Sequence, residues 1–284
     1  MLFRSNIVIG GLAQSVDFPL QNAAQSHSNA PLSGFVTRVV PGWYPITFLN
    51  GQWNLDTWHD TGNDGTSWTL TTKYFGQAGD KPIVGDWNGS GTTKIGVFRC
   101  GSTSCTWILD SNGNGKIDAA DRQFQFGLPG DVPVVGDWDG TGYLKAGIFR
   151  NGYWILDLSG HMSGVSTGKP DATAWYGGLA GDVPVVGDWG STGVTKIGVF
   201  RSGMWYLDAN NNRTFDPPGD WSLGYGIAGD TPLVGDWDGS GTPKIGVSRG
   251  GNWMLNITGN NQYHAGIDTQ FYYGNSSFMF AVGH

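Results

Sequence analysis

One stretch occurs four times. DWNGSGTTKIGVFR begins at Asp86, DWDGTGYLKAGIFR at Asp137, DWGSTGVTKIGVFR at Asp188 and DWDGSGTPKIGVSR at Asp236. Each copy places a Lys eight residues on, at Lys94, Lys145, Lys196 and Lys244. An Arg follows five further, at Arg99, Arg150, Arg201 and Arg249. Another Asp lies six before each start, at Asp80, Asp131, Asp182 and Asp230. The starts are 51, 51 and 48 residues apart. Such a period means one supersecondary unit copied along the chain, and it outranks every other signal.

A second marker raises the count. WNLD at 53–56, WILD at 107–110, WILD at 154–157, WYLD at 205–208 and WMLN at 253–256 make five. The end units are incomplete and complementary. YPITFLNG at 44–51 stands where KIGVFRNG would stand, without a preceding GDW. SSFMFAVGH at 276–284 stands where GDVPVVGDW would stand, with nothing after it.

The acids are all Asp, 23 of them, with no Glu. Asp serves turns and metal loops, while Glu serves helices. Aromatic and β-branched runs alternate with Gly, Asn and Asp clusters, so the chain reads as all-β. The second full unit holds four strand candidates: 133–138, 144–150, 153–157 and a weaker one ending at 175–178. Four strands in a unit of this length is the size of a propeller blade. The expectation is therefore a five-bladed β-propeller, its C-terminal strand completing the blade begun by the N-terminal ones. Closure removes exposed sheet edges. The alternative, an open stack, leaves two raw edges.

The FG that ends a unit, the Gly-Asp pair, PVVGDWDGxG and the apolar strand after it resemble FG-GAP/VCBS-type repeats. The similarity is to the GDWxGxGxxKIGVFRxGxWxLD subtype of bacterial secreted proteins and covers about residues 40–284. The resemblance implies a propeller, commonly with calcium in the first inter-strand loop, built into surface and secreted proteins. It implies no single activity.

In the calcium form of that repeat the loop offers oxygens at positions 1, 3 and 5 and an acid at position 9. Calcium needs about six to eight oxygens with net negative charge. Here position 9 is Lys in all four loops, and position 3 is Asn88, Asp139, Gly190 and Asp238. An ammonium can sit where the ion would sit and pair with Asp86, Asp137, Asp188 or Asp236. The expectation is four ion pairs, Asp86–Lys94, Asp137–Lys145, Asp188–Lys196 and Asp236–Lys244, closing metal-free loops. A Lys turned out to solvent, leaving a weak metal site, is the alternative.

A better calcium candidate is DSNGNGKIDAAD, 110–121. It puts Asp110, Asn112 and Asn114 at positions 1, 3 and 5, the Lys116 carbonyl at 7, Asp118 at 9 and Asp121 at 12. That is the EF-hand ligand order, with Asp at the end and Gly115 at the turn. A polar hairpin tip held by Asx-turns is the alternative. The equivalent 208–220 keeps Asp208, Asn210, Asn212 and Asp216 but has Arg213 at the glycine position, and the remaining tips depart further.

Cys100 and Cys105 flank a short hairpin and are expected to form a disulfide, with free thiols as the alternative. The five His do not recur in the repeat and show no zinc spacing. Serines lack a nucleophile elbow, and no phosphate-binding loop is present. A glycosidase needs two unlike carboxylates, roughly 5–10 Å apart, facing one substrate. Most Asp here are repeat positions. Asp17, Asp60, Asp64, Asp171, Asp216, Asp220 and Asp268 are left over in loops without a clear pairing.

A formal charge of −7 argues against nucleic acid, and no apolar run is long enough for a membrane helix. Residues 1–38 do not match the repeat and 39–284 do, with 24–34 reading as linker. MLFRS also translates the tail of a common sequencing adapter, so an environmental fragment with a start further upstream is expected.

The functional expectation is a non-catalytic, secreted or surface-attached, monomeric propeller, stabilised by one calcium, that binds a glycan or protein. The tips 56–68, 110–122, 157–174, 208–221 and 256–269 differ between units and are the expected contact surface. Trp58, Trp68, Trp175, Trp221 and Tyr263 could stack on sugars there, or be buried, the commoner fate of Trp. A glycan-cleaving hydrolase using loop Asp residues and a ligand-free spacer are the competing readings.

Overall fold

The computed structural model describes residues 8–13, 33–39, 44–58, 68–158, 160, 171–237, 240–260, 268–272 and 279–283. A two-stranded antiparallel sheet, β1 (Val8–Ala13) and β2 (Ser33–Val39), precedes the repeats, so part of the expected linker is strand. The next strands are β3 (Tyr44–Leu49), β4 (Gln52–Trp58) and β5 (Trp68–Tyr74). Three units of four follow. They are β6 (Lys81–Gly85), β7 (Lys94–Cys100), β8 (Cys105–Leu109), β9 (Arg122–Gln125); β10 (Val132–Gly136), β11 (Lys145–Arg150), β12 (Tyr153–Leu156), β13 (Ala172–Trp175); and β14 (Val183–Gly187), β15 (Lys196–Arg201), β16 (Met204–Leu207), β17 (Trp221–Gly224). The chain ends with β18 (Thr231–Gly235), β19 (Lys244–Arg249), β20 (Asn252–Leu255), β21 (Thr269–Tyr272) and β22 (Met279–Gly283).

β22 pairs antiparallel with β3, Ala281 opposite Ile46, and completes a blade of order β22-β3-β4-β5. The five first strands β22, β6, β10, β14 and β18 touch one another in sequence round a closed ring. The molecule is a five-bladed propeller whose last strand finishes its first blade.

Burial peaks at the second strand of each blade and is lower in the first strands that ring the axis. Second strands such as β11 and β15 are buried on both faces because a blade packs on each side, while outer strands such as β9 and β13 alternate half-buried and exposed. Each apolar cluster spans a seam. Val134, Trp138, Phe149, Trp154, Leu156 and Tyr176 of one blade close on Ile197 and Val199 of the next. Fully burying a large apolar side chain is worth about 1.5–3 kcal/mol. The repeated Trp residues are seam residues. Trp138 Nε1 donates to the Ala146 carbonyl at 3.0 Å, and Trp154 Nε1 to the Tyr176 carbonyl at 3.0 Å.

The first strand of each full unit stops at Gly, earlier than the expected end at Trp138. Asp137 turns its carboxylate onto the amides of Thr141 and Gly142, which starts the loop, and Trp138 folds back over its own hairpin. The fourth strand ends at Trp175 because Gly177 adopts φ +83°, which extended L-residues do not.

Candidate functional site

Antiparallel alternation places the first-to-second and third-to-fourth loops of every blade on one face. The second-to-third hairpins and the inter-blade turns share the other. On the first face Asn88 Nδ2 donates to the Ser111 carbonyl at 3.3 Å, joining the two loops of one blade.

The Lys loops wrap an ammonium. Lys94 Nζ donates to Ser90 Oγ at 2.6 Å, Asn88 Oδ1 at 2.8 Å and the Thr92 carbonyl at 3.2 Å, with Asp86 Oδ1 at 3.5 Å. Lys145, 1% exposed, repeats this with Asp139 Oδ1 and Thr141 Oγ1, both at 2.6 Å, and the Tyr143 carbonyl at 3.2 Å. Asp137 Oδ1 stands 3.6 Å away. These are loop positions 1, 3, 5 and 7, the oxygens a calcium ion would take. The position-1 Asp is a weaker partner than its sequence placement implies where a position-3 oxygen competes for the ammonium. The third loop lacks that competitor. Gly190 supplies no oxygen at position 3, and Lys196 moves onto Asp188 Oδ1 at 2.9 Å. Lys244 donates to Ser240 Oγ at 2.7 Å, while Asp238 lies outside the described residues. Burial opposes charge on Asp188. Hydrogen bonds from the Thr192 and Gly193 amides and from Lys196 outweigh it and hold the carboxyl below its ordinary pKa.

The loop 110–121 is built differently. Asp110 is fully buried, and its Oδ2 accepts from the Gly115 amide at 2.8 Å. Its Oδ1 has no hydrogen-bond partner. Asn112 and Asn114 both turn their amides onto Asp118, the latter at 2.7 Å. Asp121 accepts from the Ser111 amide at 3.3 Å and the Asp118 amide at 2.9 Å. Burial raises the pKa of Asp121, whereas the Asn114 amide lowers that of Asp118. Among the described residues no three His, Cys, Asp or Glu side chains converge as a ready metal cluster. The donor types suit calcium, and the position-1 oxygen Asp110 Oδ1 is buried with no hydrogen-bond partner.

Asp220 and Asp268, left over from the repeat in sequence, share one structural place. Asp220 accepts from the Ala209 amide at 3.0 Å and Asp268 from the Ile257 amide at 3.0 Å, as Asp121 does from Ser111. Asp171 holds the same place before β13. An Asp immediately before the fourth strand is thus a repeat position. Its recurrence at 121, 171, 220 and 268 is in the sequence, but tips of unequal length hide it from an alignment anchored on WxLD.

The aromatic candidates do not form one surface. Trp175 ends β13 and is 71% exposed, its ring 4.8 Å from that of Tyr153. Trp221 begins β17 on the loop face and is 45% exposed. The two rings therefore belong to opposite faces. The side chains of Trp58 and Trp68, and all of Tyr263, lie outside the described residues. On the far face Cys100 and Cys105 are disulfide-bonded across their hairpin. There Arg99, Arg150, Arg201 and Arg249 each clamp both oxygens of the buried Asp80, Asp131, Asp182 and Asp230.

Compared with known proteins, the chain matches no family model and no curated protein.

Proposed function

We propose that the chain is a non-catalytic binding module of the FG-GAP/VCBS-repeat kind, secreted or surface-attached, that presents its tip loops to a glycan. A protein ligand is the second choice. The observation that carries the reading is a division of labour. The repeated Arg, Lys and paired Asp close turns and the repeated Trp pack seams, while Trp221 stands half-exposed beside a variable tip. A planar aromatic on a rigid strand end suits the apolar face of a sugar ring.

Calcium is the proposed structural ion at 110–121. Asp110, Asn112, Asn114, the Lys116 carbonyl, Asp118 and Asp121 would hold it, and it would supply charge compensation for the buried Asp110. The disulfide supports an oxidising compartment. A hydrolase is the weaker reading. Asp216 and Asp220 meet in one loop, but each already accepts from Asn side chains or backbone amides rather than standing open to a substrate.

An array of bacterial and plant cell-wall oligosaccharides, probed in calcium, tests the proposal. Binding without cleavage, weakened by Trp221→Ala, is expected. Cleavage of a bound oligosaccharide, or binding indifferent to every tip substitution, would contradict it. No binding at all would favour the spacer.

A further inference from the structure

Three successive inter-blade turns carry an exposed apolar side chain that the turn does not need. The Asp131 carboxylate accepts from the Leu128 amide at 2.7 Å, and the Asp131 amide donates to the Leu128 carbonyl at 3.1 Å. Asp182 holds Leu179 in the same way, at 3.0 and 3.1 Å, and Asp230 holds Ile227, at 2.9 and 3.3 Å. Asp80 makes the same two bonds to Gln77, at 2.8 and 3.2 Å. A polar side chain therefore serves the turn equally well, and the fold gives no reason for Leu128, Leu179 and Ile227 to be apolar.

Three more exposed apolar residues share that far face. Trp175 ends β13, Val183 begins β14 just after the turn of Leu179, and Met204 begins β16 at a second-to-third hairpin. Together the six form an arc over the third and fourth blades, β10–β13 and β14–β17, from the turn that precedes them to the turn that follows. They are between 37% and 71% exposed. A fully open large side chain presents about 200 Å², so the arc leaves roughly 600 Å² of apolar surface uncovered. Each copy gives about 800 Å² to a standard interface, and homodimer interfaces are about 65% apolar, which asks for roughly 520 Å².

Charge selects the partner. The charged side chains along the arc are the clamped pairs Arg150–Asp131, Arg201–Asp182 and Arg249–Asp230. Among the described residues the arc thus carries no net charge, in a chain of formal charge −7. On the opposite face the tips 110–121 and 208–220 hold six Asp against Lys116 and Arg213. Two copies that meet through the arc bring no like charges together, whereas two that meet through the tips do. Trp, Met and Arg are also the residue types that interface cores collect.

We propose that this arc is an isologous dimer interface between two copies of the chain, in place of the monomer that the sequence suggests. Back-to-back pairing turns both tip-loop faces outward, so the dimer offers two of them to one multivalent ligand. The pairing itself does not rest on the glycan reading.

Sedimentation velocity of the full chain, from about 1 to 100 μM, spans the weak end of affinities for an interface of this size. The wild type is expected to reach twice the mass of one chain. Leu179→Glu and Ile227→Lys, each made separately, are expected to stay at the mass of one chain with unchanged circular dichroism, because the turn bonds there are made by backbone and Asp. Should one of them misfold, the other serves. Trp221→Glu, on the opposite face, is expected to remain dimeric. A wild type at the mass of one chain throughout overturns the interface, as does a dimer that survives both arc substitutions. A monomeric wild type that loses an oligosaccharide on Trp175→Ala gives the arc to a sugar and overturns it too.

Discussion

Lys145 donates to Asp139 Oδ1 at 2.6 Å from inside the loop that Asp137 opens. The ammonium is buried with both carboxylates beside it, so its removal strands two negative charges. Lys145→Met is expected to cost about 3 kcal/mol by chemical denaturation, the scale for breaking a buried pair. Lys145→Asp should restore the calcium form of the loop. Its melting temperature should be low in chelator and recover with calcium, by about 2.7 kcal/mol at a hundredfold excess over Kd. A Lys145→Asp variant indifferent to calcium would contradict the reading of these loops as ion loops with an internal cation.

Arg150 and Asp131 are unequal partners. The Asp131 side chain is fully buried and the Arg150 side chain is 36% exposed. Arg150→Ala leaves a buried carboxylate without its counter-charge, at a cost of about 3–5 kcal/mol. In Asp131→Ala the Arg turns to water, and the chief loss is the cap on the Leu128 amide at 2.7 Å, about 1–3 kcal/mol. Urea denaturation of both variants should therefore rank Arg150→Ala as the less stable. The reverse order would show that the turn cap outweighs the charge.

Acid should loosen the loops from a defined pH downward. Burial works against the charged forms of Asp86, Asp182 and Asp188, but hydrogen bonds and the neighbouring Lys or Arg hold all three pKa values below the ordinary 3.8. Stability from a depressed carboxyl is complete above its unfolded value and lost as pH falls through the folded one. Melting temperature should then hold steady down to about pH 5 and fall below about pH 4. Asp188→Asn should make that acid limb shallower. An unchanged limb would remove Asp188 from the account. Asp121 and Asp208 act in the opposite sense, since burial raises both.

Gly203 marks a place where two turns touch. It sits at φ +90°, and a Cβ there would stand 2.5 Å from the Gly226 carbonyl oxygen. Gly181, at φ +87°, has nothing within 4 Å. Gly181→Ala should cost only the backbone term, about 1–2 kcal/mol. Gly203→Ala should add a steric term of about 1–3 kcal/mol because backbone must move. Thermal unfolding of the two variants separates them, and equal costs would mean that the turns part without penalty.

The fold was legible because its unit is repeated and its ends are complementary halves. YPITFLNG and SSFMFAVGH each lack what the other supplies, and β22 does pair with β3. Strand ends were less legible, since Asp137 leaves the ladder to cap amides that sequence cannot place. In the Lys loops the repeated Lys was legible, but the oxygens it leans on were not. Asp86 and Asp137 serve the backbone first, and the ammonium leans on Ser90, Thr141, Asn88 and Asp139. Asp220 escaped notice because one inserted residue shifts it out of register with Asp121, and because Arg213 disguises a turn that the backbone still makes. Trp175 and Trp221 look alike in sequence as exposed aromatics. They face opposite ways because one ends an outer strand and the other begins one.

The most direct measurement is thermal unfolding in calcium and in chelator for the wild type and Asp110→Ala. Binding to the native state must raise stability by mass action. The account predicts a calcium-dependent melting temperature in the wild type and none in Asp110→Ala. A full calcium response in Asp110→Ala would put the metal in the lysine loops or another tip and contradict the account of 110–121 as the calcium loop.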